Sequence, residues 1–296
     1  MKGMIPMMIP NQNFKNWLVR GDCHGQFNWM TNGSLNGYIP SETAIIILGD
    51  AGFNFYLNKT EAKHNKEIND RNYTFYVVRG NHEARPQDVI GMDIIYDENV
   101  DGIIYFDPKI PNIRYFMDYG EYYINNYKIF VIGGAYSVDK WYRLSRLNMT
   151  PETNIPTKSG WFNNEQLSSE EMRQTEFEMF RLNDDFDFIF SHTCPFRFEP
   201  TDLFLDFIDQ STVDQSMEKW MDRVYDRVCR NGKPIWCFGH FHDDRIEAPR
   251  VEMYYNDIED LDTIYKRWKK YDETGELDWY LVKSPLFEER ARLCME

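Results

Sequence analysis

The sequence predicts a layered α/β domain, and two observations carry that prediction. Short β-branched and aromatic runs recur, the clearest at Asn16–Arg20, Ala44–Leu48, Phe75–Arg79, Lys128–Ile132, Phe186–Ser191 and Ile235–Phe238. Most are unbroken apolar runs rather than strict alternations, which is the pattern of strands buried on both faces. Between some of them lie helical patterns, at Lys59–Arg71, Asn164–Leu182 and Val213–Arg230. Strands that alternate with helices pack as sheets covered by helices.

The middle helical segment opens at the turn-like pair Asn163-Asn164, is rich in Glu, Gln, Met and Leu, and stops near Asn183–Asp185. Asn112–Tyr123 alternates loosely around Asp118-Tyr119-Gly120 and reads as a hairpin. After Arg250 the pattern changes. Glu252–Tyr255 reads as one more strand and Asp257–Tyr271 as a charged helix, and Glu276–Lys283, after the turn signal Thr274-Gly275, reads as a closing hairpin arm or edge strand. The expected organisation is one domain over residues 1–250, with 251–296 as a C-terminal extension packed on it.

Composition narrows the function classes. Apolar residues make up 42% of the 296 residues and aromatics 16%, enough for a sizeable core and too much for a disordered chain. A net charge of −15 should repel nucleic acid and anionic membrane at long range. No stretch approaches the roughly 20 apolar residues of a membrane span, and Pro6 and Pro10 break the N-terminal segment, so a signal peptide is not expected. Five scattered cysteines, an odd number, point to reduced thiols and a cytoplasmic setting.

Chemistry concentrates after the predicted strands. Gly21-Asp22-Cys23-His24-Gly25 follows Asn16–Arg20, and Gly49-Asp50-Ala51-Gly52 follows Ala44–Leu48. Gly80-Asn81-His82-Glu83 follows Phe75–Arg79, Ser191-His192-Thr193 follows Phe186–Phe190, and Gly239-His240-Phe241-His242 follows Ile235–Phe238. Five of the six histidines lie in these clusters. His64, the sixth, falls in a charged helical stretch and reads as a solvated surface residue. Loops beyond the carboxyl ends of strands in an α/β sheet hold ligands, so five such loops on one edge would converge on one site.

Carboxylate, amide oxygen and imidazole suit divalent Mn, Fe, Zn or Ni. The count fits two ions: Asp22, His24 and His242 for one, Asn81, His192 and His240 for the other, with Asp50 as a bridge. The glycines before Asp22, Asp50, Asn81 and His240 let the backbone turn sharply and come close to a ligand. Alternation along His240-Phe241-His242 would place both imidazoles on one side of an extended segment, with Phe241 facing away. Each motif alone is weak, since Gly-Asp after a strand is usually a turn and a lone histidine is usually a satisfied core residue. The ordered set of five is specific.

That order, Asp-x-His, Gly-Asp, Gly-Asn-His-Glu, His, Gly-His-x-His, resembles the calcineurin-like metallophosphoesterase superfamily from Asp22 to His242. The resemblance implies a four-layer sandwich of two mixed β-sheets flanked by helices, with a dinuclear metal site at the sheet edge. It implies hydrolysis of phosphomonoesters or phosphodiesters by a hydroxide activated between two divalent ions, with manganese the ion expected to support activity in vitro. His82 matches the family's catalytic histidine that is not a ligand, and it is expected, protonated, to donate to the leaving oxygen. The first and third motifs look like those of the serine/threonine protein phosphatases, and the Gly-His-x-His ending looks like the broader phosphoesterase branches. The protein phosphatases continue the second motif with an acid that orients the histidine and an arginine that grips phosphate. Here Phe53 and Asn54 stand at those positions. Arg85, Arg143 or Lys140 would have to supply the missing cation. The expected substrate is a phosphorylated small molecule or nucleotide. A protein phosphatase and a non-catalytic metal-binding scaffold are the alternatives.

Overall fold

The structure is a computed structural model that describes residues 8–204, 210–231, 234–278, 281–282 and 284–294. Two sheets stack face to face. The first contains β1 (Met8–Ile9), β2 (Asn16–Arg20), β3 (Thr43–Ile47), β4 (Thr74–Val77), β5 (Asp93–Asp97), β6 (Gly102–Phe106) and β7 (Ile113–Phe116). The second contains β8 (Tyr119–Ile124), β9 (Tyr127–Ile132), β10 (Phe188–Ser191), β11 (Ile235–Phe238), β12 (Arg245–Ala248) and β13 (Val251–Met253). A last strand, β14 (Ile258–Asp260), returns to the edge of the first sheet, whose order is β1-β5-β6-β7-β4-β3-β2-β14. The second sheet runs β12-β13-β11-β10-β9-β8.

Both sheets are mixed, and their centres are parallel. β2, β3 and β4 pair in parallel in the first sheet, and β9, β10 and β11 in the second. The unbroken apolar runs follow from this, because each central strand is buried on both faces. Within a strand, successive side chains serve different cores. Val19, Ala44, Ile46 and Tyr76 meet Val131 and Phe190 between the sheets. Leu18, Ile45, Ile47 and Phe75 face outward, in a layer that includes Ile68 of helix α1 (Lys59–Asn69). On the other side, Ile189, Trp236 and Phe238 pack under Met179 and Val224. Those two residues belong to helices here called α2 (Ser169–Arg181) and α3 (Ser216–Asn231). The result is the four-layer arrangement of two mixed sheets flanked by helices.

Helix ends follow local capping chemistry. The Asn58 side chain accepts from Thr60 N and Glu61 N and starts α1. A reciprocal capping box between Ser168 and Glu171 starts α2, five residues past the Asn164 read from the turn signal.

The expected hairpin at Asn112–Tyr123 is not one. β7 pairs with β4 and β6 in the first sheet, whereas β8 pairs with β9 in the second. The turn residues at 117–118 therefore carry the chain from one sheet to the other. Asp118 anchors that crossing: it accepts from Arg79 Nε at 2.6 Å and lies 3.0 Å from Arg85 Nη1. The true hairpin is β8–β9, turned by Asn125 and Asn126 at φ 51° and 69°. Two adjacent positive φ values match the twist of flanking strands, and Asn tolerates them.

The segment after Arg250 enters both sheets. β13 lies between β12 and β11, and β14 pairs antiparallel with β2. The following helix, Leu261–Thr274, sends Leu261, Ile264 and Trp268 into the core between the sheets. Of the expected arm Glu276–Lys283, residues 279, 280 and 283 lie outside the described residues, and 276–278 form no strand. No helix among the described residues is long and apolar enough to cross a membrane.

Candidate active site

The carboxyl ends of β2, β3 and β4 open on the same edge as those of β10 and β11. The loops beyond them are bound to one another through backbone amides. Cys23 N and His24 N both donate to Asp50 O, at 3.1 and 2.7 Å, and Gly239 N donates to His192 O at 3.0 Å. The two buried aspartates complete this frame with one oxygen each. Asp22 Oδ1 accepts from His240 N and Asp50 Oδ1 accepts from His82 N, both at 2.8 Å. Their second oxygens are left for something else. Asp22 Oδ2 is buried and has no hydrogen-bond partner, and Asp50 Oδ2 lies 3.6 Å from His192 Nε2 and 4.0 Å from His24 Nδ1.

The spacing of the nearby nitrogens is that of ligands around an ion. His24 Nε2 and His242 Nε2 lie 2.9 Å apart, at 3.5 and 3.3 Å from Asp22 Oδ2. Donors held about 2.1 Å from one ion sit about 3.0–3.4 Å from each other. Asp22, Asp50 and His192 make a second such group. Asn81 joins it through Oδ1, 2.8 Å from His192 Nε2. The His192 tautomer is set by Leu48, whose carbonyl accepts from Nδ1 at 2.8 Å and leaves Nε2 as the donor atom for a ligand. His240 lies outside both groups, although its ring meets the His192 ring at 4.9 Å and lines the same cavity.

Electrostatics point the same way. Burial opposes protonation of His192, but the Asp50 and Asp22 carboxylates outweigh it and raise the imidazole to about 9. Burial likewise opposes ionisation of Asp22 and Asp50, yet His192 and neighbouring imidazoles hold both below the usual carboxylate range. Burial and the His192 charge push His240 down to about 3. The centre attracts one positive charge strongly, and the residues present fit divalent ions.

Backbone strain gathers here as well. His24, Asp50, His240 and His242 have φ of 47°, 47°, 70° and 58°. Left-handed backbone at non-glycine residues persists where the surroundings enforce it, often at functional sites. At Gly49, φ is 99° and a Cβ would strike the His192 ring; at Gly80 a Cβ would strike the Asp50 carboxylate. The expected glycines thus let the loops close on the ligand atoms themselves.

Several expectations need correction. His240-Phe241-His242 is not extended, since both histidines are left-handed, and Phe241 does not face away but lines the cavity. Arg85 is not at the site. It is buried, paired with Asp118 and Glu171, and donates to Asn164 O at 3.0 Å and Gln166 O at 2.9 Å, so its guanidinium is saturated by the fold. Arg85→Ala should therefore destabilise the chain by about 3 kcal/mol or more, as loss of one partner in a buried pair does. It should leave KM unchanged, and a raised KM with an unchanged Tm would return Arg85 to substrate binding. His64 is half-buried rather than solvated: its ring lies 5.9 Å from that of Phe27 and it lines the cavity.

Arg143 occupies the place considered for Arg85. Its Nη2 lies 3.3 Å from His82 Nε2, its Nε donates to Asp139 at 2.7 Å, and it lines the cavity. Lys140 instead stacks over the Trp161 ring, 4.4 Å from its centroid. Phe53 packs in the core against Phe27, with ring centroids 4.9 Å apart, so the position of the orienting acid is taken by a core aromatic. The Gly160 carbonyl lies 3.3 Å from His82 Nδ1. Burial and the Arg143 charge lower the His82 imidazole despite Asp50.

Sequence reasoning missed the groups that hold the loops. Asn81 Nδ2 donates to Ser137 Oγ at 2.8 Å, and Ser137 donates to Glu165 at 2.5 Å. Glu83 accepts from Gly80 N at 3.0 Å and Gly52 N at 3.2 Å, tying the second motif to the third. A signal existed for Ser137, because Gly133–Ser137 follows β9, another parallel strand ending on this edge. None existed for Glu165, whose partner is 28 residues away.

The family described as calcineurin-like phosphoesterase matches residues 17–244. No curated protein matches the sequence. A solved structure described as phosphopantetheinyl hydrolase from Mycobacterium tuberculosis aligns at 12% identity, covering 92% of this chain and 97% of its own, with a TM-score of 0.43.

Proposed function

The chain belongs to the calcineurin-like phosphoesterase family and is a phosphoester hydrolase, and on that premise we propose that it cleaves a phosphomonoester or phosphodiester of a small molecule or nucleotide using two divalent ions. The observation that carries this reading is the convergence of two groups of ligand atoms, Asp22/His24/His242 and Asp22/Asp50/His192, at one cavity. Asp22, His24 and His242 would hold one ion, and Asn81, His192 and His240 the second. Asp50 lies between them, its Oδ2 facing His24 on one side and His192 on the other. Divalent ions there supply Lewis acidity toward phosphoryl oxygen and lower the pKa of water.

The rest of the chemistry falls to the chain's own side chains. Arg143 presents a guanidinium to the cavity where a phosphoryl oxygen would be gripped. Gly160 O fixes His82 in the Nδ1–H tautomer, with Nε2 turned toward Arg143 and the cavity. A substrate anion would add negative charge beside His82 and favour its protonated form, and from that form it serves the leaving oxygen. The net charge of −15 does not oppose anion binding at this point, because screened surface acids weigh less than local cations.

A cavity of about 940 Å³ suits a small ester better than a phosphorylated side chain on a folded protein. The absence of an arginine at Asn54 also disfavours the protein-phosphatase alternative. The same reading treats residues 1–250 and 251–296 as one folded unit, and the reduced-thiol reading of the cysteines places it in the cytoplasm, away from nucleic acid and membrane.

Elemental analysis after reconstitution with manganese is expected to give close to two ions per chain, together with turnover of para-nitrophenyl phosphate or its bis-ester. A reproducible ratio of one, with His192 and His240 replaceable at no loss of metal, would sink the two-ion reading. Two ions bound with no turnover under manganese, iron, zinc or nickel would favour a scaffold.

A further inference from the structure

The same cavity is lined by two acids that the hydrolytic reading does not use. Glu199 and Glu218 both line it, and both are buried, at 5% and 4% exposure. Glu218 is held by Thr193, whose hydroxyl donates to Oε1 at 3.0 Å, and Glu199 accepts from Gln215 Nε2 at 3.1 Å. The second Glu218 oxygen, Oε2, is buried without a hydrogen-bond partner. A buried carboxylate oxygen left unpaired costs free energy that a ligand donor would recover. Among the described residues no ion pair serves either acid, and Lys219 lies instead over the Phe196 ring, 5.3 Å from its centroid. The surrounding wall is apolar and aromatic: Tyr136, Leu203, Phe204, Val213 and Phe241.

We propose that Glu199 and Glu218 form a subsite for a protonated amino group on the organic part of the substrate, so that the preferred substrate is a phosphoester of an amine-bearing alcohol. This rests on the phosphoester-hydrolase reading of the same cavity. Two carboxyls facing one space favour a cation, and the unpaired oxygen asks for an N–H donor, which a primary ammonium has and a quaternary one lacks. The aromatic wall is compatible, because ring faces attract cations. Burial and mutual repulsion raise Glu199 to about 8, and burial raises Glu218 to about 7, as expected of acids with no cation in place.

The test is calorimetry on the metal-loaded full chain with non-hydrolysable ω-aminoalkylphosphonates of two to six carbons, each against the alkylphosphonate of equal length. At the best length the amine should bind roughly tenfold to a hundredfold more tightly, the range of hydrogen bonds to charged groups. In Glu218→Gln, whose amide oxygen can still accept from Thr193, that ratio should fall toward one. Equal affinities in the unmodified protein, or no measurable binding of any aminated ligand, would overturn the subsite. Turnover of para-nitrophenyl phosphate is measured in parallel. Its absence beside a preserved amine preference would remove the hydrolase reading and leave the subsite standing.

Discussion

Asp50→Asn is expected to lower kcat/KM by about 10³-fold or more, equivalent to roughly 4 kcal/mol of transition-state stabilisation. The substitution is nearly isosteric. Asn keeps an oxygen to accept from His82 N, the 2.8 Å bond that positions the third loop, and it fits the space against Gly80. What it removes is the charge on the oxygen that faces both His24 and His192. Metal content should fall at both positions together, which elemental analysis reads directly. Stability of the metal-free chain should fall as well, though far less than activity. Burial opposes ionisation of Asp50, but His192 and the neighbouring imidazoles hold its carboxyl well below the usual range, so deleting the charge removes an attraction that favours the folded metal-free chain. A collapse of activity and metal content with a Tm lowered by only a few degrees would identify Asp50 as a group kept for function. Asn81→Ala, which removes one neutral donor at one position, should cost less, roughly 10–100-fold. Comparable mild losses in the two variants would count against Asp50 as the shared ligand.

The parts of the fold legible in the sequence were those that local pattern determines. β2 and β11 have the ends read for them, because short runs built on Trp17-Leu18-Val19 and Ile235–Phe238 have the pattern of a strand buried on both faces. β14 was hidden by its sequence, Ile-Glu-Asp, which is tolerable in a three-residue strand at a sheet edge. β5 was hidden too, with two of its five residues exposed. The apparent hairpin at Asn112–Tyr123 failed for a different reason. Alternation predicts two strands but not which sheet each joins, and the buried pairing of Asp118 with two arginines decides that.

The candidate site divides in the same way. Its ligand atoms were legible because each follows a strand, and parallel neighbours bring strand ends to one edge. Arg143 could be named but not placed, since it lies 61 residues from His82 and on a helix rather than a strand end. Arg85 sits three residues from His82 yet is held outside the site, because buried Asp118 and half-buried Glu171 pair with it there.

His82→Ala is expected to leave metal content and fold intact while slowing hydrolysis of alkyl phosphoesters roughly 10²–10⁴-fold, the range of general acid catalysis. The loss should be largest for alkoxide leaving groups and should shrink for para-nitrophenolate, which needs little protonation. Two features of the structure place it toward the low end. A neutral carbonyl at Gly160 orients the ring in place of a carboxylate, and burial with Arg143 nearby lowers the imidazole's affinity for a proton. Arg143→Ala should reduce kcat/KM by roughly 10–100-fold through loss of a guanidinium–oxyanion contact, with little dependence on the leaving group. Because Arg143 Nη2 and His82 Nε2 are 3.3 Å apart, the two losses should not add. Removing Arg143 also lifts the positive charge that lowers His82, so in Arg143→Ala the alkaline limb of the pH profile should move up, since a general acid with a raised pKa keeps its proton to higher pH. An equal loss for good and poor leaving groups in His82→Ala would reassign the imidazole to charge stabilisation, and loss of bound metal in that variant would make it a ligand.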